Sequence, residues 1–283
     1  MGTVMTRTIL PAIALAALSG AASAQTVSLS GEARMGVQAM HGLVWSWAQD
    51  ATLQLDFTVE IEADHGLSFG AWTAAEISNA PGIFSGSRIW VGAGDLLLTF
   101  GNANGALTEF GYLGGGGVGY EGGILNGDAA GLDAVAQEED TAGPGPEIVR
   151  LDDALGETAL SVSHQRGGST EFGVQRSLGA WTLAAGYSDA MGFDNWALSG
   201  TYEAQGWGAG LLVAEVLGST NWALSGTADL GGGALYAYVG EVFGLDAYGL
   251  SYAHDLGGDA VLTAGAERVG AVTVVSLGVA FAF

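Results

Sequence analysis

Apolar and polar residues alternate along most of the chain after its first two dozen residues. From residue 51 to residue 62, the odd positions are Ala, Leu, Leu, Phe, Val and Ile, and the even positions are Thr, Gln, Asp, Thr, Glu and Glu. Successive side chains of a β-strand point to opposite faces, so this period of two predicts strands with one apolar and one polar face. Such a strand suits a soluble sandwich, where the apolar face meets a core, and a membrane barrel, where it meets lipid.

The same alternation predicts sixteen strands. They span residues 27–39, 51–63, 66–78, 84–92, 96–101, 147–153, 157–165, 170–178, 180–188, 194–204, 206–216, 221–230, 234–243, 245–254, 260–268 and 272–283. Short turns containing glycine fall at every second junction, as at 178–180 and 204–206, and are typical of hairpins. An even number of hairpin-linked strands favours an all-β, transmembrane antiparallel β-barrel over an exported soluble sandwich.

Two stretches, residues 206–216 and 234–243, alternate poorly. In the first, Leu211, Leu212 and Val213 are consecutive. A strand that is apolar on both faces is expected either to contact a neighbouring subunit or to be buried on both sides. The sequence leaves both explanations open.

The first 24 residues predict a cleaved secretory signal peptide. Arg7 precedes an apolar run over residues 9–18, and the small residues Ala22, Ser23 and Ala24 follow it. The apolar run is shorter than the roughly 20 residues that cross a bilayer. We therefore expect cleavage after Ala24 and a single barrel domain over residues 25–283.

Composition agrees with an exported barrel and excludes one class of partner. The chain has 49 glycines, four prolines, no cysteine and 49% hydrophobic residues, with a mean hydropathy of +0.34. Its 30 acidic residues against seven arginines and no lysine give a formal net charge of −23. Nucleic-acid binding is excluded because phosphate contacts need basic side chains.

One long interruption, residues 102–145, follows the fifth predicted strand. Its acidic residues are Glu109, Glu121, Asp128, Asp133, Glu138, Glu139 and Asp140. Loops of this length are usually functional or disordered. Two interpretations stay open: a loop whose carboxylates set the electric field of a pore, and a mobile glycine-rich external loop with solvated charges.

Three segments resemble the general porins of Gram-negative outer membranes, especially those of alphaproteobacteria. They are residues 27–37, residues 92–104 and the C-terminal residues 275–283, which end in Phe283. The resemblance implies a sixteen-stranded homotrimer in outer-membrane lipid and lipopolysaccharide, with a water-filled channel for ions and small hydrophilic solutes. It also implies that the long third external loop folds into the lumen and narrows it.

In porins, a basic cluster on the wall faces the acidic loop, and the basic candidates here are Arg34, Arg88 and, third, Arg150. Strand phase points Arg34 inward, and Arg88 too if its neighbours Ile89 and Val91 face lipid. An outward arginine would cost about 2–4 kcal/mol near the bilayer midplane. Carboxylates on the same wall outnumber these arginines, which predicts a mildly cation-preferring pore. They are Asp56, Glu60, Glu62 and Glu76.

Other functions are less well supported by the residues. The four histidines show no catalytic or metal-binding spacing, so we expect neither an enzyme nor a cofactor. Residues 138–140 and 152–153 have the oxygen chemistry that calcium prefers, but no EF-hand pattern accompanies them. The main alternative to a channel is a closed or plugged outer-membrane barrel with a structural or adhesive role.

Overall fold

The chain forms a ring of antiparallel strands in a computed structural model that describes residues 25–78 and 83–283. The strands are β1 (Gln25–His41), β2 (Trp45–Glu62), β3 (Leu67–Ile77), β4 (Ile83–Phe84 and Arg88–Ala93), β5 (Leu96–Gly101), β6 (Ile148–Leu155), β7 (Thr158–Gln165), β8 (Thr170–Leu178), β9 (Trp181–Ser188), β10 (Asn195–Ala204), β11 (Trp207–Val216), β12 (Ser219–Leu230), β13 (Gly233–Val242), β14 (Leu245–Gly257), β15 (Ala260–Val269) and β16 (Val272–Ala282). Both pieces of β4 pair with β3, so the 17 hydrogen-bonded segments make sixteen barrel strands. The predicted signal peptide, residues 1–24, lies outside the described residues.

The ring closes between its first and last strands. β16 pairs with β1 from Glu32 opposite Ala282 to His41 opposite Thr273. The backbones of Phe283 and Gly31 exchange two hydrogen bonds of 3.0 Å, which fasten the C-terminal residue to β1. The prediction of a closed, sixteen-stranded antiparallel barrel is confirmed. In residues 25–78 and 83–283, no helix is long and apolar enough to cross a membrane.

The first hairpin is longer than the sequence predicted. β1 and β2 were expected at 27–39 and 51–63, but they span Gln25–His41 and Trp45–Glu62. Trp45 and Trp47 share the phase of the apolar face of β2, but Ala48 and Gln49 interrupt the alternation, and the prediction left these residues out. The register of β3 ends with Ile77 opposite Leu53, so the first residues of β2 pair with β1 alone.

The two faces of the wall differ in chemistry. The outer face exposes large apolar side chains, including Leu151, Leu160, Leu183, Leu198, Leu211, Leu224 and Leu250. On the opposite face, Thr99, Arg150, Ser163 and Glu171 are successive cross-strand neighbours on β5 to β8, and all four are buried. The polar face is therefore the inner one.

Residues 102–147, which connect β5 to β6, pack against this inner face. Two apolar clusters lie between this long loop and the wall. The first joins Leu107, Leu132 and Val135 of the loop to β11, and the second joins Val118 and Ala129 to β12 and β13. Leu212 of β11 is buried by the loop while Leu211 is exposed on the outer face. An apolar inner face covered by the loop, combined with an apolar outer face, thus explains the poor alternation of residues 206–216.

Glycine lets the long loop approach the wall closely. A short helical turn, Leu107–Gly111, lies over Gly173 of β8 and Gly186 of β9. A Cβ on Gly173 would lie 2.1 Å from the carbonyl oxygen of Ala106, and a Cβ on Gly186 would lie 2.6 Å from the Cα of Gly111. Any larger residue at either position would push the turn away from the wall.

Candidate functional site

Two wall arginines bind carboxylates of the long loop at the edge of a cavity of about 460 Å³. Arg88 of β4 donates through Nη1 to Glu139. Arg150 of β6 donates through Nη1 to Oε2 of Glu109 at 2.7 Å. Glu60 of β2 lines the same cavity. The structure thus brings together five of the residues singled out in the sequence.

Arg150 is the most constrained of these charges. It is only 7% exposed. Besides binding Glu109, it donates through Nε to Oδ2 of Asp152 at 2.9 Å and through Nη1 to the backbone oxygen of Asn104 at 2.7 Å. A buried charge needs such partners to offset its loss of hydration. Arg150 therefore holds the root of the loop against β6.

The arrangement corrects one expectation taken from the porin resemblance. The arginines Arg88 and Arg150 were expected on a wall facing the acidic loop across the lumen. They are instead in direct contact with the loop, because they lie on β4 and β6, beside the strand from which the loop departs. Each guanidinium neutralises a loop carboxylate locally, which weakens any field across the lumen.

A second cluster forms where the far part of the loop meets β1 and β2. Nε of Arg34 lies 3.5 Å from Oδ2 of Asp50. Burial, followed by the hydrogen bond and charge of Asp50, raises the pKa of Glu121 on the loop. Burial likewise raises the pKa of its neighbour Tyr120 to about 12. Asp50 was not among the predicted site residues, since it lies in the part of β2 that the prediction omitted.

Three more loop carboxylates form a cluster within the loop itself. Asp128 is 5% exposed and accepts backbone N–H bonds from Ala130 at 3.3 Å and Asp133 at 2.8 Å. Burial, with the charge of Asp133, raises the pKa of Asp128 to about 6. Burial and then the charge of Glu138 raise the pKa of Asp133 to about 7. Asp128 was expected on the pore surface, but it lies inside the fold of the loop.

These raised pKa values predict that the loop packs more tightly in acid. For Asp128 and Asp133 the unfolded pKa is near 3.8, so their stabilisation is greatest below that pH and is lost as the pH rises through about 6 to 7. Hydrogen-exchange protection of residues 102–145, corrected for intrinsic rates, should be higher at pH 5 than at pH 8. Asp133→Asn should reduce that difference, and Asp140→Asn should not, because Asp140 lies outside this cluster and accepts the backbone N–H of Ala142 instead. Equal wild-type protection at both pH values would contradict this prediction.

The other predicted carboxylates occupy separate places. Oδ1 of Asp56 accepts the indole N–H of Trp72 at 3.0 Å, and Oε2 of Glu76 accepts the hydroxyl of Thr141 at 3.0 Å. Asp140 accepts the backbone N–H of Ala142 at 2.8 Å. Glu62 lines a further cavity beside Glu60. Within the described ranges, no three His, Asp or Glu side chains are arranged to hold a metal ion, so the calcium hypothesis gains no support.

Two buried carboxylates that anchor the loop were missed in the sequence. Glu171 of β8, 0% exposed, accepts the N–H groups of Leu107 at 2.9 Å and Gln137 at 2.8 Å. Glu267 of β15, 2% exposed, accepts the N–H of Ile124 and the hydroxyl of Tyr238. Each lies two positions from an inward glycine, Gly173 or Gly265, that the loop covers. In both cases an acidic residue and a glycine lie two positions apart on the inward face of the strand. This pattern could have identified the two anchors from the sequence.

Comparison with known proteins gives consistent matches in family and fold. A family model described as Gram-negative porin matches residues 12–274. A five-substitution mutant of Rhodopseudomonas blastica porin aligns with a TM-score of 0.82 at 20% identity, covering 91% of this chain and 100% of that one. A triple mutant of the same porin aligns with a TM-score of 0.81 at 19% identity and the same coverage. No curated protein sequence matches the chain.

Proposed function

Because the chain belongs to the Gram-negative porin family, we propose that it forms a water-filled, mildly cation-preferring channel for ions and small hydrophilic solutes. Family membership makes it a channel protein of the outer membrane rather than an enzyme. The observation that carries the proposal is the closed wall, apolar outside and polar inside, with a charged cavity of about 460 Å³ beside the long loop. Such a wall suits lipid and lipopolysaccharide outside and water within.

The position of the loop supports a role in narrowing the channel. Its anchors, Glu171 on β8 and Glu267 on β15, are seven strands apart in a ring of sixteen. The loop therefore reaches from one side of the barrel interior to the other. Its apolar residues are buried against the wall, which leaves polar groups such as Glu109 and Glu139 to line the remaining opening.

The pairing of charges supports a preference for cations. In the described ranges, Arg34, Arg88 and Arg150 each lie within 3.5 Å of at least one carboxylate. Glu60 and Glu62 of the same wall make no ion pair there. A narrow passage lined by uncompensated carboxylates raises the local concentration of cations.

The first hairpin supports assembly into trimers. Trp45 and Trp47 are 61% and 75% exposed, and Leu43 and Val44 at the tip of the hairpin are also exposed. At this end β2 lacks β3 as a neighbour. Large exposed apolar surfaces of this kind mark interaction sites, and a further copy of the chain is the partner that this proposal assigns.

Single-channel recording in a planar lipid bilayer tests the proposal. Protein purified in detergent should give conductance steps in groups of three, and a KCl gradient should give a reversal potential on the cation-selective side. Heat-modifiable migration on a detergent gel establishes beforehand that the barrel is folded. A folded barrel that produces no steps would favour the plugged or structural alternative, and an anion-selective reversal potential would contradict the cation preference.

A further inference from the structure

An indole ring lies on the inner wall at the end of the barrel that carries the short turns. Trp90 of β4 is the cross-strand neighbour of Gly70, which in turn faces Glu60 on β2. A Cβ on Gly70 would lie 2.0 Å from Cζ2 of Trp90, so the ring fills the space that a side chain at position 70 would need. Glycine thus allows the indole to lie across β3, towards Glu60.

Trp90 and Glu60 are shared by two cavities. The first, of about 460 Å³, also contains the loop carboxylates and the two arginines described above. The second, of about 310 Å³, adds Glu62, Thr26 and Ser68. Cavities of about 300–1,000 Å³ are typical of sites for small ligands. A solute that moves from one cavity to the other therefore passes the indole and Glu60.

The charges around Trp90 are unbalanced. Arg88 and Arg150, the basic residues lining the first cavity, are already bound to Glu139, Glu109 and Asp152. In the described part of the chain, Glu60 and Glu62 form no ion pair with any basic residue. The indole is consequently next to carboxylates that form no ion pair within residues 25–78 and 83–283.

A neighbouring indole on the inner wall already binds a cation. It belongs to Trp72, the next inward-facing residue of β3 after Gly70. The guanidinium carbon of Arg88 lies 4.1 Å from the ring centroid of Trp72, whose N–H binds Asp56. Trp90 and Glu60 repeat this combination of an indole and a nearby carboxylate. Across the described ranges, no arginine lies over Trp90. Trp90 and Glu60 therefore offer the same chemistry to a cation that comes from solution.

We propose that Trp90, Glu60 and Glu62 form a binding site for small organic cations that carry a guanidinium or primary ammonium group. The inference deepens the proposed channel function by naming a class of solute. A cation is attracted to the face of an indole, and a guanidinium group also forms strong hydrogen bonds with carboxylates. Guanidinium is more weakly hydrated than an ammonium ion and stacks on aromatic faces, so the site should favour it.

Agmatine, which carries one guanidinium and one primary ammonium group, is the probe for this site. Calorimetric titration into the detergent-solubilised barrel measures binding, and reduction of the K⁺ current in a bilayer measures occupancy of the channel. Trp90→Leu should weaken agmatine binding about 5- to 30-fold, the loss expected for a cation–π contact that is partly to fully desolvated. Trp90→Phe, a milder substitution, should give an intermediate affinity, and Glu60→Gln should also weaken binding. Glu157→Gln, an exposed carboxylate in the β6–β7 turn, is the matched control.

The two readouts separate this inference from the channel proposal. Agmatine binding that depends on Trp90 in a barrel without conductance would support the site and contradict the channel. Conductance without agmatine binding would support the channel and overturn the site. Binding that is equally strong in wild type, Trp90→Leu and Trp90→Phe would overturn the site as well, because attraction to carboxylates alone does not require an aromatic ring.

Discussion

Replacing Glu171 by leucine is expected to release the root of the long loop and to increase single-channel conductance. The carboxylate of Glu171 is completely buried and accepts the N–H groups of Leu107 and Gln137. Leucine accepts no hydrogen bond, and each buried N–H left without a partner costs about 1–3 kcal/mol. Both donors belong to the loop, so the loop loses stability while the hydrogen bonds between strands remain.

Conductance and proteolysis check this prediction on barrels shown to be folded by heat-modifiable migration. Glu171→Leu should raise both the conductance and the rate at which protease cuts residues 102–145. Gly173→Val is an independent variant with the same expected result, because its side chain would push Ala106 and the turn that follows it off the wall. Glu147→Gln is the control, since its ion pair with Arg166 is largely exposed and contributes little. Unchanged conductance in both loop variants would show that the loop does not limit ion flow.

The sequence predicted the barrel because the alternation of a strand is a local property. The alternation of apolar and polar residues identifies the two faces of a strand within about ten residues. The hairpin turns then fix the antiparallel order of neighbouring strands. The sequence was ambiguous where another element changed the pattern. β11 alternates poorly because the loop covers Leu212 and Ala214 on the inner face, and no feature within β11 itself identifies the loop as the cause.

The partners of the charged side chains could not be predicted in the same way. Strand phase placed Arg88 and Glu60 on the inner face, but a period of two gives the face of a residue and not its contacts. Ile124 binds Glu267, 143 residues away in the chain, and only the path of the loop across the barrel brings them together. The role of Trp90 likewise depends on the register that places it beside Gly70 on β3.

Replacing Arg150 by methionine is expected to strengthen the preference for cations and to loosen the root of the loop. Arg150 binds both Glu109 and Asp152, so its loss leaves two carboxylates without a counterion. Breaking a buried ion pair by removing one partner costs about 3–5 kcal/mol. A unit charge about 8 Å from the ion path is worth roughly 0.5–1 kcal/mol for each ion at an effective dielectric constant between about 40 and 80. Because that energy has opposite sign for K⁺ and Cl⁻, the K⁺ to Cl⁻ permeability ratio should increase by about five- to thirtyfold.

Reversal potentials in a KCl gradient measure the change, with Arg166→Met as the control because that arginine is exposed and does not line the cavity. Adding Glu109→Gln to Arg150→Met removes one of the two unpaired charges and should return the permeability ratio towards the wild-type value. A ratio unchanged by Arg150→Met would mean that the ion path does not pass the cavity between β4, β6 and the loop. A ratio that rises with Arg150→Met and falls again in the double variant would establish that path, because only charges close to the passing ions act in this way.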